Sequence, residues 1–91
     1  MSVVIIGGNE RMECKYKSIC REYGCDAKVF TKVAGRLYDQ IGSPDLIVLF
    51  TNPVSHTMAK AARSKAAQGK IALVQSHCGS GNALRNILAK V

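Results

Sequence analysis

The chain has no tryptophan, only two prolines and just five aromatic residues among 91. So sparse an aromatic set, with no interleaving of rings and basic residues, argues against the stacking platforms of single-strand nucleic-acid binders. No apolar run approaches the roughly 18 to 20 residues that a membrane-spanning helix needs. The opening residues, MSVVIIGGNE, have neither the basic start nor the small-residue cleavage site of a secretory signal. The expectation is a soluble, cytoplasmic protein with no membrane partner. Acidic residues are scarce too, six against thirteen lysines and arginines, and the resulting net charge of +7 favours an anionic partner. Nucleic acid, a nucleotide, haem propionates and an acidic protein all meet that description.

The four cysteines, Cys14, Cys20, Cys25 and Cys78, form no CxxC or CxxCH pair and no Cys-His pattern of the zinc-finger kind. Neither a structural zinc nor a covalently attached c-type haem is signalled, and in a reducing compartment the thiols stay free. The length is that of a single domain, residues 1–91, which at this size buries about 60 to 65% of its unfolded surface.

What is present is an alternation of short apolar runs and amphipathic stretches. Residues 3–6 are β-branched and read as a buried strand, followed by Gly7-Gly8-Asn9. Two glycines allow a sharp turn or a close approach to a ligand, and Asn9 is placed to cap the next helix. In that helix Met12, Tyr16, Ile19, Cys20 and Tyr23 recur at three- and four-residue spacing, and Gly24 closes it in a left-handed conformation. Residues 25–30 read as an edge strand because Asp26 and Lys28 interrupt it, and 33–41 as a short helix with Val33, Leu37, Tyr38 and Ile41 on one side. Residues 46–50, LIVLF, are the most hydrophobic run and read as a central strand. Ser55 is a good N-cap for a helix reaching Gln68, closed by Gly69. Its Ala59, Ala62 and Ala66 form a small-residue face suited to a sheet or a second helix, so a homodimer covering that face is one expectation. Lys60, Arg63 and Lys65 read as a solvated basic face. Residues 71–74 form the last strand, ending in a Ser76 to Gly81 turn and a helix that starts near Asn82 with Leu84, Ile87 and Leu88 on its apolar side.

Four strands alternating with four helices predict a four-stranded parallel sheet flanked by helices, in the order 2-1-3-4. Ligands of such sheets bind beyond the carboxyl ends of the strands. That edge gathers Gly7, Gly8 and Asn9, then Asn52, Ser55 and His56, then His77, Cys78, Ser80 and Asn82, including both histidines of the chain. His56 stands in a first helical turn, and a thiol at a helix N-terminus is acidified, so His56, His77 and Cys78 are candidate ligands of a metal or haem. The Gly79-Ser80-Gly81-Asn82 turn, with Arg85 nearby, is equally suited to present amides to a phosphate.

Two familiar patterns are missing. After Gly7 and Gly8 the next glycine is Gly24, so the GxGxxG dinucleotide fingerprint is absent. Six residues separate Cys78 from Arg85, where the phosphate loop of cysteine-dependent phosphatases has five.

The combination of Gly7-Gly8 with Arg11 and Tyr16, Gly24, Asp45 before an apolar strand, the Ser55-His56 pair, and the closing Ser80 and Leu84 resembles a small bacterial family catalogued as domain of unknown function 2325. The resemblance covers nearly the whole chain. It implies a Rossmann-like fold, half of a flavodoxin-like domain, and singles out Gly7, Gly8, Arg11, Tyr16, Ser55 and His56 as site residues. It implies no activity, and His77-Cys78 departs from its pattern.

The sequence reading is therefore a non-catalytic sensor or carrier for an anionic cofactor at the strand ends. Haem or another metal centre on His56, His77 and Cys78 is placed ahead of a phosphate-containing ligand, with Gly7, Gly8, Asn9, Arg11, Tyr16, Ser55, Ser80 and Asn82 shaping the pocket. The alternative is a phosphate- or nucleotide-binding domain built on the 79–82 turn, with or without enzymatic activity. Nucleic acid ranks third.

Overall fold

In the computed structural model, which describes residues 1–32, 37–52 and 54–90, four strands lie side by side. They are β1 (Ser2–Gly7), β2 (Asp26–Phe30), β3 (Leu46–Asn52) and β4 (Ala72–Cys78), all parallel and in the order β2-β1-β3-β4. The helices are α1 (Glu13–Glu22), α2 (Leu37–Ile41), α3 (His56–Gly69) and α4 (Gly81–Ala89). The predicted sheet and strand order are those observed.

Alternation along the strands divides the core into two layers. Val3 and Ile5 of β1 and Leu46, Val48 and Phe50 of β3 pack against Tyr16, Ile19 and Cys20 of α1 and Leu84 and Leu88 of α4. On the other face Val4, Ile6, Ile47 and Leu49 meet Ile41 of α2 and Met58, Ala59, Ala62 and Ala66 of α3. The alanine stripe is thus covered within the chain, since side chains this small let α3 lie close on the sheet. The five side chains of Leu46 to Phe50 are fully buried. At about 1.5 to 3 kcal/mol each for the large apolar ones, they contribute a total comparable to the whole net stability of a domain.

Several element ends differ from the sequence reading. Asn9 accepts from the Arg11 N–H at 2.9 Å, but it caps a 3-10 turn, Glu10–Met12, that leads into α1. Gly24, at φ +70°, ends α1 as predicted, with the Cys25 N–H donating to the Cys20 carbonyl and the Gly24 N–H to that of Arg21. α3 is closed by Lys70, at φ +53°, while Gly69 is its last helical residue. Ile71 folds back over that end, and a Cβ on Gly69 would lie 3.0 Å from its Cδ1. β4 continues to Cys78 because β3 continues to Asn52 and the ladder pairs Asn52 with Cys78. Ser76 and His77 are therefore strand residues, not turn residues. The helix expected over 33–41 is observed from Leu37; residues 33–36 lie outside the described residues.

Candidate anion site between two helix starts

Two glycine turns stand at the carboxyl end of the sheet. Gly7 and Gly8 are buried and both have positive φ, +88° and +83°. A Cβ on Gly7 would fall 2.3 Å from the Phe50 carbonyl oxygen, and one on Gly8 2.6 Å from the Tyr16 hydroxyl. The close approach that these glycines permit is to the protein's own Phe50 and Tyr16. Tyr16 is itself fully buried, with its ring 5.3 Å from that of Phe50 and its hydroxyl donating to the Gly79 carbonyl. It ties the first turn to the second. Burial lifts its hydroxyl above the ordinary tyrosine value, the Asn9 backbone N–H pulls it down, and Cys78 pushes it up.

The second turn opens outward. Gly79 and Gly81 have no positive φ, so the strand runs straight into α4 with Ser80 as its N-cap. The Ser80 hydroxyl accepts from the Ala83 N–H at 3.1 Å, and the Ser80 carbonyl from the Leu84 N–H at 3.2 Å. The Gly81 and Asn82 amides of the first turn have no partner among the described residues, which is the usual state of a helix start. Both residues line a cleft of about 550 Å³, together with Asn9, Met12, Lys15, Gly79, Ser80 and Arg85. The Lys15 stem crosses Gly81 so closely that a Cβ there would lie 3.3 Å from its Cε. Lys15 forms no ion pair with a described residue, and Arg85 shares a half-exposed one at 3.3 Å with Glu22, which is not part of the lining. Two cations and a helix N-terminus thus converge on a space with no carboxylate in its lining, an arrangement that attracts an anion.

A second cleft of nearly the same size, about 540 Å³, lies beside the 3-10 turn and is lined by Glu10, Arg11, Glu13, Val29, Phe30, Thr31 and Lys32. Its charges balance locally, with Glu10 and Lys32 paired at 2.9 Å. Arg11 belongs here and not with the α4 turn.

The remaining sequence-predicted residues are spread out. Ser55 caps α3, its hydroxyl accepting from the Met58 N–H at 3.1 Å, and His56 is the exposed first residue of that helix. His77 is exposed on β4, with Nε2 3.5 Å from the Asn52 amide nitrogen. Val74 of β4 packs in the α1/α4 layer and Leu73 in the α3 layer, so by alternation Cys78 lies on the first face and His77 on the second. Among the described residues no three His, Cys, Asp or Glu side chains come together as a metal site. Cys78 alone shows a tuned environment: it is exposed, and the Ser80 hydroxyl, then the Ser80 N–H, hold its thiol below the ordinary value. Buried Cys20 is the opposite case, pushed up to about 11 by burial and then by Cys25.

Lys15 was not among the predicted site residues. Its signal was its spacing: three residues after Met12 and four before Ile19, it belongs to the flank of α1 that meets α4 and not to the open face.

Residues 2–91 match the family described as "Uncharacterized protein conserved in bacteria (DUF2325)". The chain belongs to this family. No curated protein matches it. Among solved structures, this DUF2325 chain is similar to a de novo designed Rossmann 2x2 fold protein, with a TM-score of 0.63 and 11% identity over 98% of this chain and 84% of the other. It is also similar to the lactose-specific IIB component domain of the phosphoenolpyruvate:carbohydrate phosphotransferase system from Streptococcus pneumoniae, with a TM-score of 0.60 and 17% identity over 99% and 88% of the two chains. At these identities the likeness is one of fold. No helix among the described residues is long and apolar enough to cross a membrane.

Proposed function

We propose that this chain is a non-catalytic binding module, a sensor or carrier, that takes a phosphate-bearing small molecule in the cleft between the starts of α1 and α4. The observation that carries the reading is that Lys15, Arg85, Gly81 and Asn82 line one space without an opposing carboxylate, and that the Gly81 and Asn82 amides have no partner among the described residues. Such donors suit the several oxygens of a phosphate, and charge-assisted hydrogen bonds are the strong ones. Binding without turnover is favoured because the lining holds no histidine, carboxylate or thiol, and its one hydroxyl, that of Ser80, is engaged as the α4 cap with no base beside it to activate it. Calorimetric titration with inorganic phosphate and pyrophosphate at low ionic strength tests it. Lys15→Ala and Arg85→Ala should each weaken binding roughly 10-fold, the effect of losing about 1.4 kcal/mol. Gly81→Val should abolish it and Cys78→Ser should leave it unchanged. Equal affinity in all four variants would remove the site.

A second reading has its own observation, the exposed and acidified Cys78 thiol, which is a fit single thiolate ligand for haem or a soft metal. It predicts a saturable shift of the Soret band of added haemin, relative to free haemin, that Cys78→Ser abolishes. Its ligand set would be Cys78 without His77, which the strand directs to the other face.

A further inference from the structure

The two edges of the sheet are built differently. At the β2 edge, Asp26 and Lys28 are exposed and break up the strand with charge, a usual way of keeping an edge from pairing. At the other edge β4 has a strand neighbour on one side only, and its seven residues, ALVQSHC, contain no charge and no proline. Its Leu73 and Val74 are partly exposed.

Charge is just as unevenly divided. All six acidic residues lie before position 46, while residues 46–91 contain six lysines and arginines and no acid. These cations sit on α3, α4 and their ends, the elements on either side of β4. On α3, Lys60, Arg63, Ala67 and the capping Lys70 follow at three- and four-residue spacing and are all exposed, so they form one flank of the helix. The Arg63 guanidinium donates to the Gln75 side chain of β4 at 3.1 Å, which fixes that flank on the side of the open edge. An open, uncharged strand is thus bordered by a row of cations whose half of the chain offers no acid to balance them.

We propose that the outer edge of β4 is a docking site for an acidic extended peptide segment, which adds as a fifth strand. Main-chain hydrogen bonds to β4 hold it, and acidic side chains at alternate positions, all on one face of the added strand, meet Lys60, Arg63 and Lys70. A second copy of this chain fits less well, because self-pairing at β4 brings two such cationic flanks together. Single-stranded nucleic acid also fits less well, since the only phenylalanine, tyrosine or tryptophan after position 46 is Phe50, which is buried and cannot stack on a base.

The test uses the full chain and a fluorescent nine-residue peptide alternating glutamate with valine, read by anisotropy. The expected result is saturable binding that falls at least 10-fold in the Arg63→Glu/Lys70→Glu double variant, and also falls at least 10-fold when alternate peptide nitrogens are methylated, a change that removes strand hydrogen bonds and leaves the charge intact. A charge variant on the opposite border, Lys28→Glu, should bind as the wild type does. Three results would overturn the proposal. One is an N-methylated peptide that binds as well as its parent, which reduces the contact to unspecific charge attraction. Another is an oligonucleotide that competes the peptide off at lower concentration than unlabelled peptide does. The third is a protein that sediments as a dimer and binds no peptide. Circular dichroism of the double variant separates loss of the surface from loss of the fold.

Discussion

The two glycine turns at the carboxyl end of the sheet look interchangeable in sequence, Gly7-Gly8-Asn9 and Gly79-Ser80-Gly81-Asn82, yet the structure uses them for opposite purposes. At the first, both glycines have positive φ and their missing side chains are replaced by Phe50 and Tyr16 from the same chain. At the second, φ is ordinary, the hydroxyl of Ser80 satisfies one helical amide, and Gly81 and Asn82 line an open cleft with Lys15 and Arg85. A glycine pair after a strand signals a close approach, but it does not say to what. The first turn is closed by packing and the second borders an open cleft, with Tyr16 joining the two.

The largest break in that comparison comes from giving each turn a side chain. Gly8→Val forces a positive φ on a branched residue and drives its Cβ into Tyr16, so chemical denaturation should show a loss of about 3 kcal/mol or more. Gly81→Ala, with no positive φ and only the flexible ends of Ile19 and Lys15 to displace, should stay within about 1 kcal/mol of the wild type. Comparable losses at both would mean that the second turn is packed as tightly as the first.

Tyr16→Phe removes the strut between the turns. It leaves the Gly79 carbonyl without its donor while keeping the ring against Phe50, and should cost about 1 to 2 kcal/mol in the same assay. A silent variant would show that the turns are held independently.

Ser80→Ala is the smallest change and reports on the second turn alone. Loss of the cap should cost about 1 kcal/mol. Because the Ser80 hydroxyl and N–H stabilise the Cys78 thiolate, the wild-type thiol ionises below the ordinary value, and its alkylation by iodoacetamide should begin at lower pH than that of a simple thiol. Without the hydroxyl the folded-state pKa rises, so the pH profile of alkylation at Cys78 should move upward. An unmoved profile would detach Cys78 from Ser80.

How much of this could be read beforehand follows a physical division. The strands and their order were legible because burial on both faces demands runs such as residues 3–6 and 46–50, and parallel neighbours demand the helices between them. The caps at Gly24 and Ser55 were legible because each residue type does one local job, and Asn9 caps as expected but on the 3-10 turn that precedes α1. The ends of β3 and β4 were not, because Thr51, Asn52, Ser76 and His77 are polar and read as turn residues, whereas at the rim of a sheet polar side chains continue the ladder at no cost. That extension is what separates His77 from Cys78: neighbours in a turn can share a ligand, while neighbours in a strand point to opposite faces. The role of Tyr16 was hidden for a related reason, since the residue that the family resemblance singled out is a buried strut, touching the site through Gly79. The charge of the cleft was half legible, in Arg85 after the glycine turn, and half hidden, in a lysine whose flank only the packing of α1 on α4 decides.

The most direct measurement is a titration of the isotopically labelled protein with inorganic phosphate, followed through its backbone amide resonances. The account predicts saturable shifts largest at Gly81 and Asn82, smaller ones near Lys15 and Arg85, and none at Gly7 and Gly8, whose surroundings are filled. Shifts that centre on Gly7, Gly8 or the cleft beside Glu10 and Lys32, or an unchanged spectrum at millimolar phosphate and low salt, would contradict an anion site at the start of α4.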